Sequence, residues 1–409
     1  MPNPLPIASP AGGIFFPTRP ELKLGERSYS PDYLGKLIET AVRVKSFAQA
    51  ADLIEVWSGQ TVSSRNLGRI AEEAGGELVA WRDAEADDFT HHRRQAEGPD
   101  PSHDLAAVFV DGGRVQTRAT PSGPGVHGEG WKEDKIARIQ TMTSPTHTGD
   151  PCPEPPACFL HPVLENGAKS PENPASTTPD DEAAVARKWQ PEPLVRTCVA
   201  TMRPLEDFRW LVQAEAKRRH FFTAKKRAFV ADGSHGNWTL RDRHFPDFTP
   251  ILDFVHAAEY LHAAAKVLAS PTLGQTWARD LWQGRAASVI AEWRDTLDAK
   301  GHGLETLDEK HADFNLQRAW TYLGNHADKL DYPRYRQEGL PTTSSLMESQ
   351  VKEFNARVKG SEKFWHLDHA EAMLQLVVQT LRDDGPTLTD ALNGLPTSPF
   401  RRNHPALAA

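Results

Sequence analysis

Three acidic residues on separate parts of the chain have the side chains and surroundings needed for metal-dependent phosphate chemistry. Asp111 follows the apolar run LAAVFV, Asp232 follows RAFVA, and a glycine comes directly after each. Glu348 lies in SSLMESQVKEF, near the predicted start of a helix. Hard divalent cations prefer oxygen ligands, and two such ions can stabilise the attacking and leaving oxygens of a phosphodiester. We predict that Asp111, Asp232 and Glu348 are catalytic and bind two Mg²⁺ or Mn²⁺ ions.

Glu348 also fits a structural role. Residues 345–348, SLME, match a capping box, in which the glutamate accepts a hydrogen bond from the backbone N–H of the N-cap residue. However, the 3, 4, 3 spacing of Glu348, Val351, Asn355 and Val358 would place Glu348 on the helix face that packs on a sheet. The local pattern leaves capping and catalysis open.

Asp253 and His256 form a second candidate pair. Asp253 lies within the apolar run ILDFV, and His256 follows three residues later. A buried carboxylate needs a hydrogen-bond partner, so we expect the two to orient each other or to contact DNA as accessory residues. Asp253 is also an alternative to Asp232 as a metal ligand. We favour Asp232, because a strand end followed by glycine leaves more room for a cation.

Basic residues are concentrated in two segments. Residues 217–227, KRRHFFTAKKR, contain six lysines and arginines and no acid, and the predicted helix after Glu348 has a basic end. The alternative to DNA binding is a solvated surface or a helix end whose dipole favours cations. The net charge of −8 allows either, since a basic face can coexist with an acidic total. The residues predicted to contact DNA are Lys217, Arg218, Arg219, Lys225, Lys226, Arg227, Arg357 and Lys359.

The composition is that of a cytoplasmic protein without a disulfide framework. The 409 residues are 39% hydrophobic and 25% charged, and no apolar run approaches the length of about 18 residues that a membrane helix needs. We therefore predict no membrane association. Three cysteines suit a reducing compartment. A zinc site at Cys152, Cys158 and His161 is a minor alternative, because their spacing fits no standard pattern.

Residues 1–100 are predicted to contain three helices and a linker. SPDYLGKLIETAVRV predicts a helix that begins after Ser30, FAQAADLIEVW one that ends at Gly59, and SSRNLGRIAEEAG one that ends at Gly75. The polar residues 82–104 are predicted to be the linker. A helix-turn-helix DNA reader and a small bundle for packing or dimerisation both fit.

Strands and helices alternate in the middle of the chain, which is typical of an α/β fold. We predict that LAAVFV is a strand ending at Asp111, that Gly112 and Gly113 turn the chain, and that RVQTRA and WKEDKIARIQTM are two further strands. VRTCVATM, RAFVA and ILDFV complete the predicted strands. Helices are expected after Pro204 and from His256, and SHGNWTLRDRHFP is predicted to be a turn.

The remaining segments are mainly helical or irregular. Residues 143–183 contain nine prolines and are predicted to be a surface or disordered insertion. Helical spacings continue through residues 271–330, whose tryptophans, at 277, 282, 293 and 320, are expected to anchor a core rather than stack on DNA. The predicted division is an N-terminal helical region and linker at 1–100, a first core part at 101–268, an all-helical insertion at 269–335, final core helices at 336–385 and a tail at 386–409.

Three motifs occur in a familiar order: VDGG, then ADGSHGNW followed by FPDFTPILDFVHAAEYL, then GLPTTSSLMESQVKEFNARVKGSEKFW. Together they resemble insertion-sequence transposases of the DDE class, in the Mutator-like branch, over about residues 105–380. The resemblance implies an RNase H-like core, a mixed sheet flanked by helices, with a helical insertion. It also implies Mg²⁺-dependent cleavage and strand transfer by Asp111, Asp232 and Glu348, with His256 in an accessory position.

The same resemblance predicts the partners and the location. Expected partners are the terminal inverted repeats of the mobile element and target DNA, bound by a homodimer or a larger assembly at the bacterial nucleoid. The chain departs from the family where Ser344 and Ser345 replace a frequent Ser-Gly pair, and residues 1–100 lack a cysteine-rich segment. Two alternatives stay open: an inactive transposase-derived DNA-binding protein, and a metal-dependent RNase H-like nuclease without strand transfer.

Overall fold

A computed structural model describes residues 29–118, 130–160, 189–303, 305–360 and 363–394. It also describes a short antiparallel strand pair, β1 (Ile7–Ala8) and β2 (Ile14–Phe15). No helix within these ranges has the length and apolarity to cross a bilayer.

The centre of the protein is a mixed five-stranded sheet with helices around it, which confirms the α/β class. The strand order is β5-β4-β3-β6-β7. Only β4 runs against the other four strands, because β3 and β5 pair antiparallel with β4 while β3, β6 and β7 pair in parallel. The strands are β3 (Leu105–Thr117), β4 (Gly130–Met142), β5 (Pro193–Thr201), β6 (Lys226–Ala231) and β7 (Thr249–Leu252).

Strand β3 does not end at Asp111, so the predicted glycine turn and the separate strand RVQTRA are wrong. The strand continues through Gly112 and Gly113, and it pairs with β4 along its whole length. Its parallel neighbour β6 ends opposite Val110. Asp111 is therefore the first residue of β3 beyond the end of β6, which leaves that side of the strand free for other side chains.

The N-terminal helices are α1 (Pro31–Arg43), α2 (Phe47–Ser58) and α3 (Ser64–Thr90). The prediction that the third helix ends at Gly75 is wrong, and residues 82–90 of the predicted linker are helical. Gly75 has a packing role instead, because a Cβ atom there would clash with the backbone carbonyl of Ala372. The helix passes this point at close range and stays helical for four more turns.

Helices fill most of the chain after β5. The segment SHGNWTLRDRHFP is predicted to be a turn, but it contains a helix at His235–His244. The predicted strand ILDFV is too long, because β7 ends at Leu252, before Asp253. Residues 271–303 and 305–330 contain helices and no strand, as predicted. The helices are α4 (Leu205–Arg218), α5 (His235–His244), α6 (Phe254–Val267), α7 (Pro271–Trp282), α8 (Ala286–Ala299), α9 (Phe314–Asn325), α10 (Tyr332–Gln337), α11 (Ser345–Val358), α12 (Leu367–Leu381) and α13 (Leu388–Gly394).

Aromatic residues of the helical region after α6 extend the main hydrophobic core. Trp277, Trp282 and Trp293 are buried, and Trp320 is partly buried against the same core. The structure describes residues 143–160 of the proline-rich segment, and part of this stretch packs on the helical region after α6. The backbone carbonyl of Cys152 accepts a hydrogen bond from the Trp282 indole at 2.8 Å. Residues 161–183 of the predicted insertion lie outside the described residues.

Candidate functional site

Asp111 lies at the edge of the parallel part of the sheet. Its Oδ1 accepts a hydrogen bond from the backbone N–H of Gly112 at 2.7 Å. Burial raises the pKa of Asp111, and this hydrogen bond opposes the rise. The charged groups with the largest further influence are His256, Asp232 and Asp253. Asp111 therefore shares one electrostatic environment with three residues that follow β6 and β7.

Asp232 comes directly after β6, at the turn into α5. Its Oδ1 accepts hydrogen bonds from the backbone N–H of Ser234 at 3.1 Å and from the side-chain amide of Asn237 at 2.8 Å. Gly233 is needed at this turn, because any Cβ there would overlap the ring of Tyr322. The turn thus holds the Asp232 carboxylate by one oxygen, directly after the end of β6.

Asp253 is buried and accepts hydrogen bonds from four donors. Oδ1 accepts from the backbone N–H groups of Val255 and Ser344, at 3.2 and 2.9 Å. Oδ2 accepts from the Ser344 hydroxyl at 2.8 Å and from Nδ1 of His256. Because a carboxylate has about four acceptor positions, Asp253 is fully occupied by these contacts. The spacing correctly predicted that Asp253 and His256 would orient each other.

The Asp253 and His256 pair is charged near neutral pH. Burial lowers the pKa of His256, but the hydrogen bond and the negative charge of Asp253 outweigh burial and raise it to about 9. Burial alone would raise the pKa of Asp253. The hydrogen bonds donated by His256 and Ser344 outweigh burial and hold that pKa below its ordinary value. The partly exposed imidazolium of His256 thus adds a positive charge beside Asp111.

Glu348 lies one turn into α11, on its exposed side. The capping box is wrong, because Ser344 is the N-cap residue and Glu348 pairs with Lys352 at 2.6 Å. The buried residues of the helix are Met347, Gln350, Phe354, Arg357 and Val358. Of the predicted inward stripe only Val358 is buried, and the first three positions are displaced by one residue. The first turn of α11 does lie beside Asp253, through Ser344. The described partner of Glu348 is Lys352 rather than one of the aspartates.

A further acid, Asp134, was missed by the sequence analysis. It lies on β4 directly opposite Gly113, it is fully buried, and neither of its carboxylate oxygens accepts a hydrogen bond from another described residue. Burial raises the pKa of Asp134, while its own backbone N–H and Lys359 lower it and Asp111 raises it. A period of two from the buried Ile136 would have placed Asp134 on an inward face, which is the signal that could have found it.

Most predicted DNA-binding residues of segment 217–227 make contacts within the protein. Arg219 is buried and donates to the backbone carbonyl of Ile139 at 2.6 Å, and Arg218 pairs with Glu215 and Asp384. The other contacts run from Lys217 to the carbonyl of Phe89, from Lys226 to carbonyl and hydroxyl oxygens around Ser144, from Arg227 to the carbonyl of Phe222, and from Lys225 to Asp104.

The two basic residues at the end of α11 differ from each other. Arg357 is buried, donates to the carbonyl of Ala41 at 2.9 Å and lies over the ring of Phe47. Lys359 is partly exposed. In this conformation Arg219 and Arg357 are inaccessible to DNA and hold elements together. Lys225 is exposed, and Lys359 is partly exposed, as are Lys217, Arg218, Lys226 and Arg227.

Two other groups have the side chains of metal sites. His302, His311 and Asp313 have ligand atoms within 4.8 Å of one another, but the carboxylate of Asp313 already pairs with Lys300 and His302. Cys152 and Cys158 are free thiols. The third residue of that predicted zinc alternative, at position 161, lies outside the described residues, so the alternative stays a prediction.

Comparison with known proteins gives a weak structural likeness. A solved structure titled Drosophila P element transposase strand transfer complex matches with a TM-score of 0.33 and 11% sequence identity, over 88% of this chain and 93% of that chain. A likeness of this size establishes neither a common fold nor a common function. No protein-family model matches the chain, and no curated protein matches it significantly.

Proposed function

We propose that this protein is a metal-dependent enzyme that cleaves DNA phosphodiesters and transfers the cut strand, as a DDE transposase. The observation that carries the proposal is the pairing of Val110 with Ala231 and of Ala231 with Leu252, which brings Asp111, Asp232 and Asp253 to neighbouring positions where β3 passes the ends of β6 and β7. His256 pairs with Asp253 there. Ligands of open α/β sheets bind outside the carboxyl ends of parallel strands. The order β5-β4-β3-β6-β7, with β4 alone reversed, also supports an RNase H-like core.

The unfilled acceptor positions support a divalent cation beside Asp111 and Asp232. The hydrogen bonds described above for Asp111 and Asp232 are all accepted by Oδ1. Asp134 nearby has two buried oxygens that accept no hydrogen bond from another described residue. Bound Mg²⁺ or Mn²⁺ ions would activate a nucleophile and stabilise charge on the leaving oxygen. Carboxylates with free oxygens are the ligands such ions prefer.

The hydrogen bonds of Asp253 favour Asp232 as the second metal ligand. All four acceptor positions of Asp253 are in use, whereas Asp232 keeps an oxygen for a cation. Asp253 instead holds His256 in the imidazolium form. We assign His256 to binding a DNA phosphate next to the cleaved bond, because it is partly exposed and positively charged beside Asp111.

We propose Glu348 as the third metal ligand because of its place in the motif GLPTTSSLMESQVKEFNARVKGSEKFW. Ser344, at the start of α11, binds Asp253 directly, so Glu348 is one helical turn from the acidic site. To act there, its side chain must leave Lys352 and turn towards Asp111. The cost of that change is small, because exposed ion pairs contribute little stability.

Cleavage of DNA that flanks the coding frame is the direct test. With Mg²⁺, the wild-type protein should nick labelled element ends and join them to a target, whereas Asp232→Asn and Glu348→Gln should lose cleavage and keep DNA binding. Glu353→Gln is the matched control, because Glu353 is an exposed glutamate on the same helix that pairs with Arg196.

The outcomes separate the alternatives. Cleavage without joined products would identify a nuclease, and binding without cleavage by the wild type would identify an inactive DNA-binding protein. Full activity of Asp232→Asn would remove the proposed site altogether, and full activity of Glu348→Gln would remove Glu348 from it.

A further inference from the structure

Asp134 is a buried acid whose carboxylate has no hydrogen-bond donor among the other described residues. Its side chain is fully buried, and both of its oxygens lack a hydrogen bond from another described residue. A buried charge without partners is unfavourable, so such a carboxyl group either stays protonated or binds a cation. Lys359 contributes a favourable charge, but the described ion pairs do not include one between them.

The register of the sheet places Asp134 close to Asp111. Asp111 lies opposite Ile136, and Gly113 lies opposite Asp134. Directly opposed residues of an antiparallel pair share a face, and so do residues two apart on one strand. Asp111 and Asp134 therefore project from the same face of β3 and β4. The negative charge of Asp111 raises the pKa of Asp134, which agrees with this placement.

Gly113 makes the space for this carboxylate. A Cβ atom built on Gly113 would lie 2.7 Å from Oδ1 of Asp134 and 3.2 Å from Oδ2. The carboxylate thus lies over the backbone of β3, two residues beyond Asp111. This explains why a glycine occurs in the middle of a long, regular strand, where glycine is ordinarily unfavourable.

We propose that Asp134 is an additional cation ligand, which binds one of the divalent ions together with Asp111, in a space kept open by Gly113. The inference rests on the proposed function, since it assumes that Asp111 binds a divalent cation. It adds a residue from β4 to a site otherwise formed where β3 passes the ends of β6 and β7. A carboxylate from β4 would hold the ion from the side opposite to Asp232.

Binding of Mn²⁺ to the full-length protein without DNA tests the inference by calorimetry. Asp134→Asn should weaken Mn²⁺ binding at least about tenfold or remove one bound ion, because the amide keeps the shape and loses the charge. Glu133→Gln is the matched control, since it removes the same charge from the adjacent, exposed residue and should bind Mn²⁺ as the wild type does. Asp134→Asn with wild-type affinity and stoichiometry would overturn the proposal.

Two further measurements keep the test decisive. Asp111→Asn with unchanged Mn²⁺ binding would instead contradict the proposed function, so the two failures are distinguishable. If Asp134→Asn does not fold, iron-mediated cleavage of the wild-type backbone answers the same question. Fe²⁺ bound in place of Mn²⁺, with peroxide and ascorbate, should cut near both Asp111 and Asp134. Cuts near Asp111 and Asp232 without cuts near Asp134 would exclude it as a ligand.

Discussion

Among the individual residues, His256 has the most strongly altered chemistry in the site. An isolated histidine has a pKa of about 6.5, and here it is raised to about 9 by Asp253. Because the folded pKa lies above the unfolded one, protonation of His256 stabilises the fold. This stabilisation is fully present below about pH 6.5 and is lost as the pH rises through about 9.

We predict that His256→Gln lowers stability most at acidic and neutral pH. The difference in unfolding free energy between wild type and variant should be largest near pH 6 and should shrink as the pH approaches 10. Urea unfolding at several pH values measures it. A difference that stays constant over this range would show that the ion pair with Asp253 does not form.

Glycines were the main source of error at the residue scale. Gly75, Gly112 and Gly113 were interpreted as ends or turns, because glycine most often marks such points in a sequence. In the structure each of these lies inside a regular element. Gly75 and Gly113 are there because another part of the chain comes too close for a side chain. Such close approaches depend on tertiary packing, which the local sequence does not report.

At the scale of single elements, helix α3 offers a matched test of that explanation. A Cβ at Gly75 would clash with the backbone of α12, whereas a Cβ at the next residue, Gly76, would meet nothing within 4 Å. Gly75→Ala should destabilise the protein by about 1–3 kcal/mol. Gly76→Ala should stabilise it by about 0.5–1 kcal/mol, since alanine favours helix. Thermal unfolding of both variants compares them, and equal effects would contradict the close packing of α3 on α12.

The end of α11 gives a second paired prediction. Arg357→Ala removes a buried guanidinium that binds the carbonyl of Ala41 and lies over Phe47, and should cost roughly 1.5–3 kcal/mol of stability. Lys359→Ala should leave stability nearly unchanged. If Lys359 contacts a phosphate, Lys359→Ala should instead weaken the salt dependence of DNA binding. The slope of the logarithm of the binding constant against the logarithm of the salt concentration should become less steep by about one. Weaker DNA binding by Arg357→Ala with normal stability would reverse these roles.

Strands were predicted better than their boundaries. The strands predicted around residues 105, 136, 197, 228 and 251 all belong to one sheet. The run at 105–110 is continuously apolar because that part of β3 is buried on both faces. The register was not accessible from the sequence. Without it, Asp111, Asp232 and the pair of Asp253 and His256 could be proposed from their places after apolar runs, but Asp134 could not be connected with them.

For the molecule as a whole, the N-terminal helices are part of the main core. Arg82 on α3 pairs with Glu371 on α12 at 2.7 Å, and α1 binds the end of α11 through Ala41. An N-terminal unit that folds separately, as a free helix-turn-helix reader would, does not fit these contacts. The DNA-reading role predicted for residues 1–100 stays a prediction.

Truncation tests this coupling. Removal of residues 1–90 should expose the apolar face of α12 and give an aggregated or partly unfolded protein. Removal of residues 1–28 leaves the described contacts of α1 to α3 with the rest of the protein in place and should give a cooperatively folding chain. Circular dichroism and gel filtration compare the two. A well-folded protein lacking residues 1–90 would show that the N-terminal helices are an independent domain.

The central claim is that distant carboxylates form one site for divalent cations. Anomalous scattering from crystals of the full-length protein grown with Mn²⁺ measures this most directly. The account predicts two manganese peaks about 3.5–4 Å apart, with oxygens of both Asp111 and Asp232 as ligands. Crystals in which Mn²⁺ is saturating but no peak lies within bonding distance of either aspartate would contradict it.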